Sequence, residues 1–356
     1  MSAPGVLLVR CDASVSIGTG HTMRCLALAQ AWQDIGGRAV FAMARSTAAV
    51  EERLEREAVG ITRLQAETGS EDDAQATIAL ARTQTAAWVV VDGYDFGADF
   101  QTALKRGGLK LLCVDDNAEA GHYSADLILN QNAHATEAVY EGKAQGVQLL
   151  LGSRFCLLRR EFAAWHGWSR EVPERVKRIL VTMGGSDADN FTWRVIDAIR
   201  LLEEDGLETT VVVGGSNPHV ALLESAVRDG GAAFSLQKNP SNMPELLSAA
   251  DLAVAGAGTT CWEMCFLGLP ALICVLAGNQ ERIASTLASR GIARSLGRSK
   301  DVSIAKIREE LLSLLHDPGE QQRMSERGRA LVDGNGAART VSLLQDKLRI
   351  RRAGTG

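Results

Sequence analysis

Short apolar runs alternate with longer amphipathic segments along the whole chain. The runs are rich in Val, Leu and Ile, and the segments between them repeat apolar residues at helical spacing. Parallel strands that helices cover on both faces give this pattern. It therefore predicts strands over residues 6–10, 39–43, 88–92, 110–114, 127–130, 178–183, 209–213, 232–236, 252–255 and 270–275.

The alternation is interrupted by a region of aromatic and charged residues at 152–176, which contains Pro173. We interpret this region as the crossing between two doubly wound α/β domains, at 1–160 and 174–335, with a C-terminal helix and tail at 336–356. A chain of 356 residues has room for two such domains. Both halves open with a strand, a polar glycine-bearing turn and a helix. This indicates Rossmann-like domains facing a cleft, a glycosyltransferase-B-type architecture.

Composition and charge disfavour several classes of protein. The net charge of −5 argues against a nucleic-acid partner, because nucleic-acid-binding domains are usually basic. The seven cysteines have no spacing typical of a metal site, and their odd number argues against a disulfide framework. We expect Cys11, Cys25, Cys113 and Cys274 to be buried small hydrophobes in a cytoplasmic protein. No apolar stretch suits a signal peptide or a membrane span, so we expect no membrane insertion. Separately, we expect no bound metal and no cofactor.

The most informative loop is SIGTGHTMRCLAL at 16–28, between a predicted strand and a predicted helix. Gly18 and Gly20 match the first half of a dinucleotide-binding fingerprint, but Met23 occupies the third glycine position and no acidic residue ends the next strand. A P-loop is excluded because no Lys-Ser or Lys-Thr pair follows the glycines. Free N–H groups and the positive end of the helix dipole still suit an anionic ligand here.

His21 lies in the first turn of this predicted helix, at the carboxyl end of a strand, where open α/β sheets bind ligands. The helix dipole disfavours an added positive charge on the ring, so the neutral imidazole could take a proton from water. Asp12, Ser14 and Arg24 are on the same loop or one turn further along, which makes them candidate substrate-binding residues. The alternative is a histidine that only caps the loop.

The stretch DLAVAGAGTTCWE repeats this arrangement in the second half of the chain. A strand ends in glycines and a helix begins at Thr259 or Thr260, so these two residues could hold a phosphate and Glu263 a ribose. Thr260 and Glu263 also form a capping-box pattern, which explains both residues without a ligand.

Polar residues follow several other predicted strands. Gly185 and Ser186, in MGGSDADN, would lie on the same sheet edge as the phosphate loop. The alternative is an ordinary tight turn in which Asp187 or Asp189 caps the next helix.

Further candidates are isolated polar or aromatic residues. The adjacent amides Asn279 and Gln280 could read sugar hydroxyls after an apolar strand. Tyr94 also follows a strand, and its alternative is an aromatic residue at an interface. Arg159 lies at the domain crossing, where it could equally form a surface ion pair with Glu161.

Taken together, these segments resemble a known family. They are VRCDASVSIGTGHTMRCLALA, VVDGYDF, VDDNAEAGHYSADLILNQN, LLLGSRFCLLRREF, MGGSDADNFT and AGAGTTCWEMCFLGLPALICVLAGNQ. In this order they resemble the UDP-2,4-diacetamido-2,4,6-trideoxy-β-L-altropyranose hydrolases of pseudaminic acid biosynthesis, up to about Gln280. The last segment is shared in outline with the transferase that adds N-acetylglucosamine in peptidoglycan synthesis. Gly278 stands where the family pattern has Asp, and Met264 where Arg is common.

The resemblance implies a glycosyltransferase-B fold that performs metal-independent hydrolysis of a UDP-sugar with inversion. It implies that His21 is the general base and that Tyr94 and Asn279 line the sugar site. It also implies that Gly20 contacts the diphosphate and that Asn242 and Met243 contact the uracil. The residues implied at the diphosphate and ribose are Ser186, Thr259, Thr260 and Glu263. Arg159 is implied as a further substrate contact. We expect a monomeric cytoplasmic enzyme whose only partner is this small-molecule substrate and whose product serves glycosylation, for example of flagellin.

Two other functions stay open at this point. A UDP-sugar glycosyltransferase of the same fold would use nearly the same residues, with an acceptor hydroxyl in place of water. A non-catalytic nucleotide-sugar-binding component of glycan assembly would need neither a water molecule nor an acceptor hydroxyl as a nucleophile. Asp115 and Asp116, in VDDNAEAGH, could help in the sugar site or only cap the following turn.

Overall fold

The structure is a computed structural model that describes residues 4–15, 17–202 and 204–353. The chain divides into two compact units. The first contains Met1–Ile17, His21–Arg160 and Gly334–Gly356, and the second contains Gly18–Gly20 and Glu161–Asp333.

Strands and helices alternate along most of the chain, but β6 follows β5 without a helix between them, and three helices end the chain. The strands are β1 (Val6–Cys11), β2 (Arg38–Met43), β3 (Gly60–Arg63), β4 (Ala86–Asp92), β5 (Leu111–Val114), β6 (Leu127–Asn130), β7 (Gln148–Leu151), β8 (Arg178–Thr182), β9 (Glu208–Val213), β10 (Phe234–Lys238), β11 (Leu252–Gly256), β12 (Ala271–Val275) and β13 (Arg294–Arg298). The helices are α1 (Gly20–Asp34), α2 (Ala48–Arg56), α3 (Glu71–Thr83), α4 (Ala98–Arg106), α5 (Phe191–Arg200), α6 (Val220–Asp229), α7 (Met243–Ala249), α8 (Thr260–Phe266), α9 (Glu281–Ser289), α10 (Ile304–Leu315), α11 (Pro318–Leu331) and α12 (Gly336–Ala353).

In the first unit, the described strands form a parallel sheet with the order β3-β2-β1-β4-β5-β6-β7. Successive residues of β1 enter opposite cores: Leu7 and Val9 join the core that α1 and α12 cover. Val6 and Leu8 join the core that α3 and α4 cover. Because both faces are buried, the central strands are almost continuously apolar.

The C-terminal helix α12 completes the first unit. Trp88 of β4 donates from Nε1 to the carbonyl oxygen of Leu344 at 3.1 Å, and Leu344 and Val341 join the core on this face. At the start of α12, a Cβ on Gly336 would collide with the carbonyl oxygen of Cys156. The close approach of the helix at this point therefore requires glycine.

The second unit repeats the plan of the first. Its described strands form a parallel sheet with the order β10-β9-β8-β11-β12-β13. In both sheets the order reverses beside the first strand, between β1 and β4 and between β8 and β11. Ligands of open α/β sheets bind where the order reverses, outside the carboxyl ends of the strands.

The predicted α/β fold class is confirmed, since both units are Rossmann-like. The central strands agree closely with the prediction. Strands β3, β7 and β13 were not predicted, and β10 begins and ends closer to the C-terminus than the predicted strand at 232–236. All four of these strands lie at sheet edges. Edge strands are partly exposed and carry polar residues, as in GITR and RSLGR, so the apolar pattern that marks a buried strand is weak in them.

Two further observations concern the cysteines and the helices. Cys11, Cys25, Cys113 and Cys274 are buried and not disulfide-bonded, and burial raises the pKa of the thiols of the latter three. None of the helices in the described part of the chain combines the length and the apolar character that crossing a membrane requires.

Arg10 of β1 is fully buried, in the face of the first sheet that α3 covers. Its Nη1 and Nη2 atoms donate to Asp12 at 2.7 and 3.1 Å, and its Nε and Nη2 atoms donate to Asp73 at 2.8 Å each. The guanidinium lies 4.9 Å from the centre of the Phe96 ring. One buried positive charge is thus paired with two carboxylates through directed hydrogen bonds, the arrangement that burial of a charge requires.

The other acceptor positions of Asp12 are also occupied. Thr68 Oγ1 donates to Asp12 at 2.7 Å, and the N–H groups of Ala44 and Arg45 donate at 2.8 and 3.1 Å. Burial by itself would raise the pKa of Asp12, but Arg10 and these hydrogen bonds outweigh it and lower the pKa. Substrate binding by Asp12 stays a prediction, while its observed contacts connect β1 to the loop after β2.

We predict that Asp73→Ala strongly destabilises the first unit. The substitution removes one of the two carboxylates that compensate the buried charge of Arg10, at an expected cost of about 3 kcal/mol in the free energy of unfolding. Asp72→Ala is the matched control, since Asp72 is the neighbouring, exposed carboxylate in the same first turn of α3. It should cost less than about 1 kcal/mol. Urea unfolding of both variants measures the difference, and equal losses would contradict this account.

We also predict a pH-dependent contribution from Asp12. Its pKa is lower in the folded chain than in the unfolded chain, so its contribution to stability is complete above the ordinary value of about 4 and is lost as the pH falls below it. The stability difference between the wild type and Asp12→Asn should therefore shrink between about pH 7 and about pH 3. Urea unfolding across this range measures it, and a difference independent of pH would refute the prediction.

Candidate functional site at the carboxyl edge of the first sheet

Polar side chains follow successive strands at one edge of the first sheet. His21 lies in the first turn of α1 after β1, Tyr94 follows β4, Asp116 follows β5, and Asn132 follows β6. Because the strands are parallel, their carboxyl ends meet at the same edge. The fold thus gathers at one edge residues that are widely separated in the sequence, including the predicted pair His21 and Tyr94.

His21 and Tyr94 are in contact. Their ring centres are 5.0 Å apart and their planes meet at 72°, an edge-on arrangement of two rings. His21 is 9% exposed and Tyr94 is 49% exposed, so the tyrosine forms the outer part of the pair. The pair presents an imidazole beside a phenol at the edge where ligands of such sheets bind.

Asp116 connects this pair to the interior. The Tyr94 hydroxyl donates to Oδ2 of Asp116 at 3.2 Å. On its other side, Oδ1 of Asp116 accepts from Arg24 Nη1 at 2.7 Å and from Asn132 Nδ2 at 2.8 Å. Asn130 fixes Asn132 in turn, because its Oδ1 accepts from both the backbone N–H and Nδ2 of Asn132.

Arg24, a predicted substrate-binding residue, is 4% exposed and paired with two carboxylates. Its Nε and Nη2 atoms each donate to Asp92, the last residue of β4, at 2.7 Å, and Nη1 donates to Asp116. Cys25 Sγ also donates to Asp92 at 3.3 Å. A direct contact of Arg24 with substrate stays a prediction, and the observed role of its guanidinium is to hold α1, β4 and the loop after β5 together.

Asp116 carries a negative charge. Burial by itself would raise the pKa of its carboxyl group, but the charge and hydrogen bond of Arg24, the nearby His21 and the amide of Asn132 outweigh burial. The pKa of Asp116 therefore lies well below its ordinary value. The site keeps an ionised carboxylate beside the histidine at neutral pH.

Asp115 and Asp116 have different roles, although they are adjacent. Asp115 Oδ2 accepts from the backbone N–H of Ala118 at 2.8 Å, which is the turn-capping role predicted as one alternative. The same oxygen accepts from the Tyr140 hydroxyl at 2.5 Å. Burial, followed by the charge of Asp115, raises the pKa of Tyr140. Asp115 thus stabilises the loop, whereas Asp116 faces Tyr94.

A cavity of about 140 Å³ lies beside Tyr94. Its lining includes Arg24 and the carboxylates Asp92, Asp115, Asp116 and Glu119. Negative groups thus outnumber positive groups in this wall. A cavity of this charge favours neutral, hydrogen-bonding groups over phosphates.

The loop after β8 carries Gly185 and Ser186 in the second unit. Asp187 accepts from the N–H groups of Phe191 and Thr192 at 2.8 and 2.9 Å. Its carboxylate thus caps the start of α5, the role that the sequence predicted as the alternative for Asp187 or Asp189. Asp187 itself adopts a φ of +46°. These contacts fix the loop but do not test ligand binding by Gly185 and Ser186, which stays a prediction.

The loop after β9 supports this loop, and sequence reasoning missed it. The N–H of Ser216 donates to the carbonyl oxygen of Gly185 at 3.1 Å, and Nε2 of His219 lies 2.8 Å from the carbonyl oxygen of Ala188. A Cβ on Gly214 would collide with the backbone of Gly184 and Gly185. The sequence GGSNPH after an apolar strand was the available signal, since such loops lie at the ligand-binding edge.

The capping box that was the alternative explanation of Thr260 and Glu263 does not form. Thr259 occupies the cap position of α8 and its side chain makes no capping hydrogen bond, while Thr260 is already the first helical residue. Glu263 therefore lies one position too far along the helix for a capping box, and it is 8% exposed.

The remaining predicted residues are distributed over both units. Asn279 and Gln280 lie in a short 3₁₀ turn at Gly278–Gln280, where Asn279 is exposed and Gln280 Oε1 accepts from the N–H of Leu276 at 2.9 Å. Asn242 caps α7, which begins at Met243, with its backbone only.

The others lie in or beside the first loop or at the end of the first unit. Ser14 Oγ accepts from the N–H of Ile17 at 3.0 Å. Gly18 adopts a φ of +78°, which favours glycine, and Gly20 begins α1. Arg159 is partly buried near the end of the first unit. Binding of a nucleotide sugar by these residues stays a prediction.

In the residues that the structure describes, no group of three or more His, Cys, Asp or Glu side chains could hold a metal ion. Asp92, Asp115 and Asp116 are instead close to Arg24, Tyr140 and backbone donors. The acidic edge is therefore organised by hydrogen bonds within the unit.

Residues 178–338 match the model of the glycosyltransferase family 28 C-terminal domain. The match starts at the first residue of β8 and includes the loops after β8, β11 and β12.

Curated relatives match longer parts of the chain at lower identity. An uncharacterized protein of Methanocaldococcus jannaschii is 24% identical over 74% of this chain, which spans 54% of that protein. The UDP-2,4-diacetamido-2,4,6-trideoxy-beta-L-altropyranose hydrolase of Campylobacter jejuni is 23% identical over 80% of this chain and 97% of its own length. A UDP-N-acetylglucosamine–N-acetylmuramyl-(pentapeptide) pyrophosphoryl-undecaprenol N-acetylglucosamine transferase of Clavibacter sepedonicus is 26% identical over 70% of this chain and 68% of its own length. This chain thus spans only about half of the first of these relatives.

Solved structures match nearly the whole chain. MurG of Acinetobacter baumannii has a TM-score of 0.66 at 18% identity, covering 96% of this chain and 99% of MurG. MnaA of Staphylococcus aureus, solved with UDP, has a TM-score of 0.67 at 14% identity, covering 97% of each chain. The fold is therefore the two-domain, Rossmann-like α/β fold of the GT-B type.

Proposed function

We propose that this protein is an enzyme that acts on nucleotide sugars, and that its reaction is hydrolysis of a UDP-linked diacetamido-trideoxy sugar. A water oxygen attacks the anomeric carbon, and the bond from that carbon to the phosphate oxygen breaks. The electron pair of this bond leaves with UDP. The attack comes from the face opposite UDP, so the configuration inverts, and His21 accepts the proton of the water.

The observation that carries this proposal is the arrangement of His21, Tyr94 and Asp116 at the carboxyl edge of the first sheet. A general base needs a ring nitrogen near a bound water and a stable orientation. The edge-on contact with Tyr94 supports the orientation, and the hydrogen bond from the Tyr94 hydroxyl to Asp116 holds Tyr94 in that contact. The adjacent acidic cavity suits an uncharged sugar better than a diphosphate.

The energetic demand on the protein is moderate. UDP is a good leaving group, and N–H groups at helix starts stabilise the charge that it gains. General-base assistance by an imidazole contributes about a hundredfold to ten-thousandfold in rate. The rest of the acceleration comes from holding the water and the anomeric carbon in a reactive geometry.

Two comparisons support the choice of hydrolysis. The motifs quoted from the first half of the chain resemble those of the altropyranose hydrolases, and the match to the C. jejuni hydrolase extends over nearly its whole length. In this proposal, the loops of the second unit hold UDP, with Ser186, Thr259, Thr260 and Glu263 at the diphosphate and ribose. The product would then be a free sugar for pseudaminic acid synthesis.

A glycosyltransferase is the second candidate, because the second unit matches a glycosyltransferase family 28 domain and a transferase relative matches at similar identity. In that case an acceptor hydroxyl takes the place of water, and His21 deprotonates the acceptor. The two candidates share a site and differ in the nucleophile. They are separated by what happens when no acceptor is present.

We predict that the purified protein converts UDP-2,4-diacetamido-2,4,6-trideoxy-β-L-altropyranose to equal amounts of UDP and free sugar, with EDTA present and without an acceptor. His21→Asn should bind UDP like the wild type but lower kcat by about a hundredfold or more, because the base is lost. Chromatography of the products and calorimetric titration with UDP measure both effects.

His316→Asn is the control for this experiment. His316 is an exposed histidine at the end of α10, beside Glu204, and its replacement should leave kcat unchanged. Turnover that requires an added acceptor would favour the transferase. An unchanged kcat in His21→Asn would refute the role of His21, and UDP binding without turnover under either condition would favour a binding component.

A further inference from the structure

We infer that Asp116 is a positioning residue of this site. It accepts a hydrogen bond from the hydroxyl of the exposed Tyr94 and so fixes the orientation of the Tyr94 ring against His21. This inference rests on the proposed function, which supplies the reaction that Tyr94 and His21 would serve. The sequence left open whether Asp116 helps in the sugar site or only caps the following turn, and its contacts favour a role beside Tyr94.

An exposed tyrosine needs such an anchor to hold one orientation. Tyr94 is 49% exposed, so packing restrains its ring only in part, and free rotation about its side-chain bonds would oppose a fixed position. The hydrogen bond from its hydroxyl to Asp116 Oδ2 restrains the far end of the ring. The edge-on contact with His21 restrains its side. Both contacts therefore restrain the position of the phenol.

The anchor itself is held rigidly. Asp116 is 12% exposed, and its other oxygen accepts from Arg24 and Asn132 at 2.7 and 2.8 Å. Arg24 is held in turn by two hydrogen bonds to Asp92 at the end of β4. Asp116 therefore cannot follow a motion of Tyr94 without breaking charged hydrogen bonds in the interior, which are the strongest class available here.

The contacts of Arg24 also connect the segment that carries His21 to the segment that carries Tyr94. Arg24 lies on α1, less than one turn beyond His21, and Tyr94 follows β4 directly, two residues after Asp92. Arg24 thus fixes the helix that carries His21 against the strand that precedes Tyr94. Asp116, in the loop after β5, contacts both Arg24 and the Tyr94 hydroxyl. One carboxylate therefore affects the positions of both His21 and Tyr94.

The neighbouring Asp115 provides an internal comparison. It accepts from the Tyr140 hydroxyl at 2.5 Å and from the N–H of Ala118, whereas Asp116 accepts from the Tyr94 hydroxyl. Two adjacent carboxylates therefore hold two different tyrosines. This allows a test in which each aspartate is the control for the other.

The first arm of the test does not depend on catalysis. The chain has three tyrosines, so protein labelled with 3-fluorotyrosine should give a separate ¹⁹F NMR signal for each, and Tyr94→Phe identifies the signal of Tyr94. Asp116→Asn should move or broaden the Tyr94 signal and leave the Tyr140 signal in place, because it replaces the charged acceptor of Tyr94. Asp115→Asn should move the Tyr140 signal and leave the Tyr94 signal in place. A Tyr94 signal unchanged in Asp116→Asn would overturn the inference.

The second arm measures kcat and KM for the UDP-sugar. Asp116→Asn and Tyr94→Phe should each lower kcat by about tenfold, with little change in KM, since a misplaced group slows the reaction more than it weakens binding. If Asp116 acts through Tyr94, the double variant should lose about tenfold as well, rather than about a hundredfold. Losses that multiply would overturn the inference. Asp95→Asn, an exposed carboxylate next to Tyr94 in the sequence, controls for the lost charge and should leave kcat unchanged.

The two arms also separate this inference from the proposed function. If the wild type shows no turnover, the proposed function fails, and the NMR arm still decides whether Asp116 fixes Tyr94. If Asp116→Asn does not fold, Asp116→Glu keeps the negative charge beside Arg24 but displaces the oxygen that Tyr94 contacts. The Tyr94 signal should then move in that variant, and an unmoved signal would overturn the inference.

Discussion

The arrangement of the candidate site depends on the guanidinium of Arg24. It is buried at the carboxyl edge of the first sheet, where it pairs with Asp92 at the end of β4 and with Asp116 after β5. A guanidinium has a planar set of donors, so it fixes both the distance and the orientation of two carboxylates at once. One side chain of α1 thereby aligns the two loops that carry Tyr94 and Asp116, and the position of His21 follows from the same helix.

A second arginine, Arg10, forms the same kind of paired contacts in the interior of the first unit. Arg10 pairs with Asp12 and Asp73 inside the core that α3 covers. Buried ion pairs of this kind add little net stability, because desolvation offsets the attraction, but removing one partner is costly. Two neighbouring clusters therefore lie near the edge of the sheet: the cluster of Arg10 lies in the interior, and the cluster of Arg24 contacts residues of the candidate site.

Much of the fold could be predicted from the apolar pattern, and the failures have one physical cause. Central strands such as β4 and β11 are buried on both faces, so burial selects an apolar residue at nearly every position. At the edges, β3 and β13 are partly exposed. Their pairing is decided by the neighbouring strand rather than by their own residues, and the sequence carries little record of it.

The sequence by itself determined most of the order of strands and helices, the placement of His21 at the start of the helix that follows β1, and that of Tyr94 just after β4, because burial and turn geometry act locally. It could not determine which residues meet at the edge. Arg24 and Asp116 are 92 positions apart, and nothing local in VDDNAEAGH distinguishes Asp116 from Asp115. Only the tertiary structure assigns one carboxylate to the turn and Tyr140 and the other to Arg24 and Tyr94. The reason is that hydrogen bonds between distant segments depend on strand order and side-chain direction, which are properties of the assembled sheet.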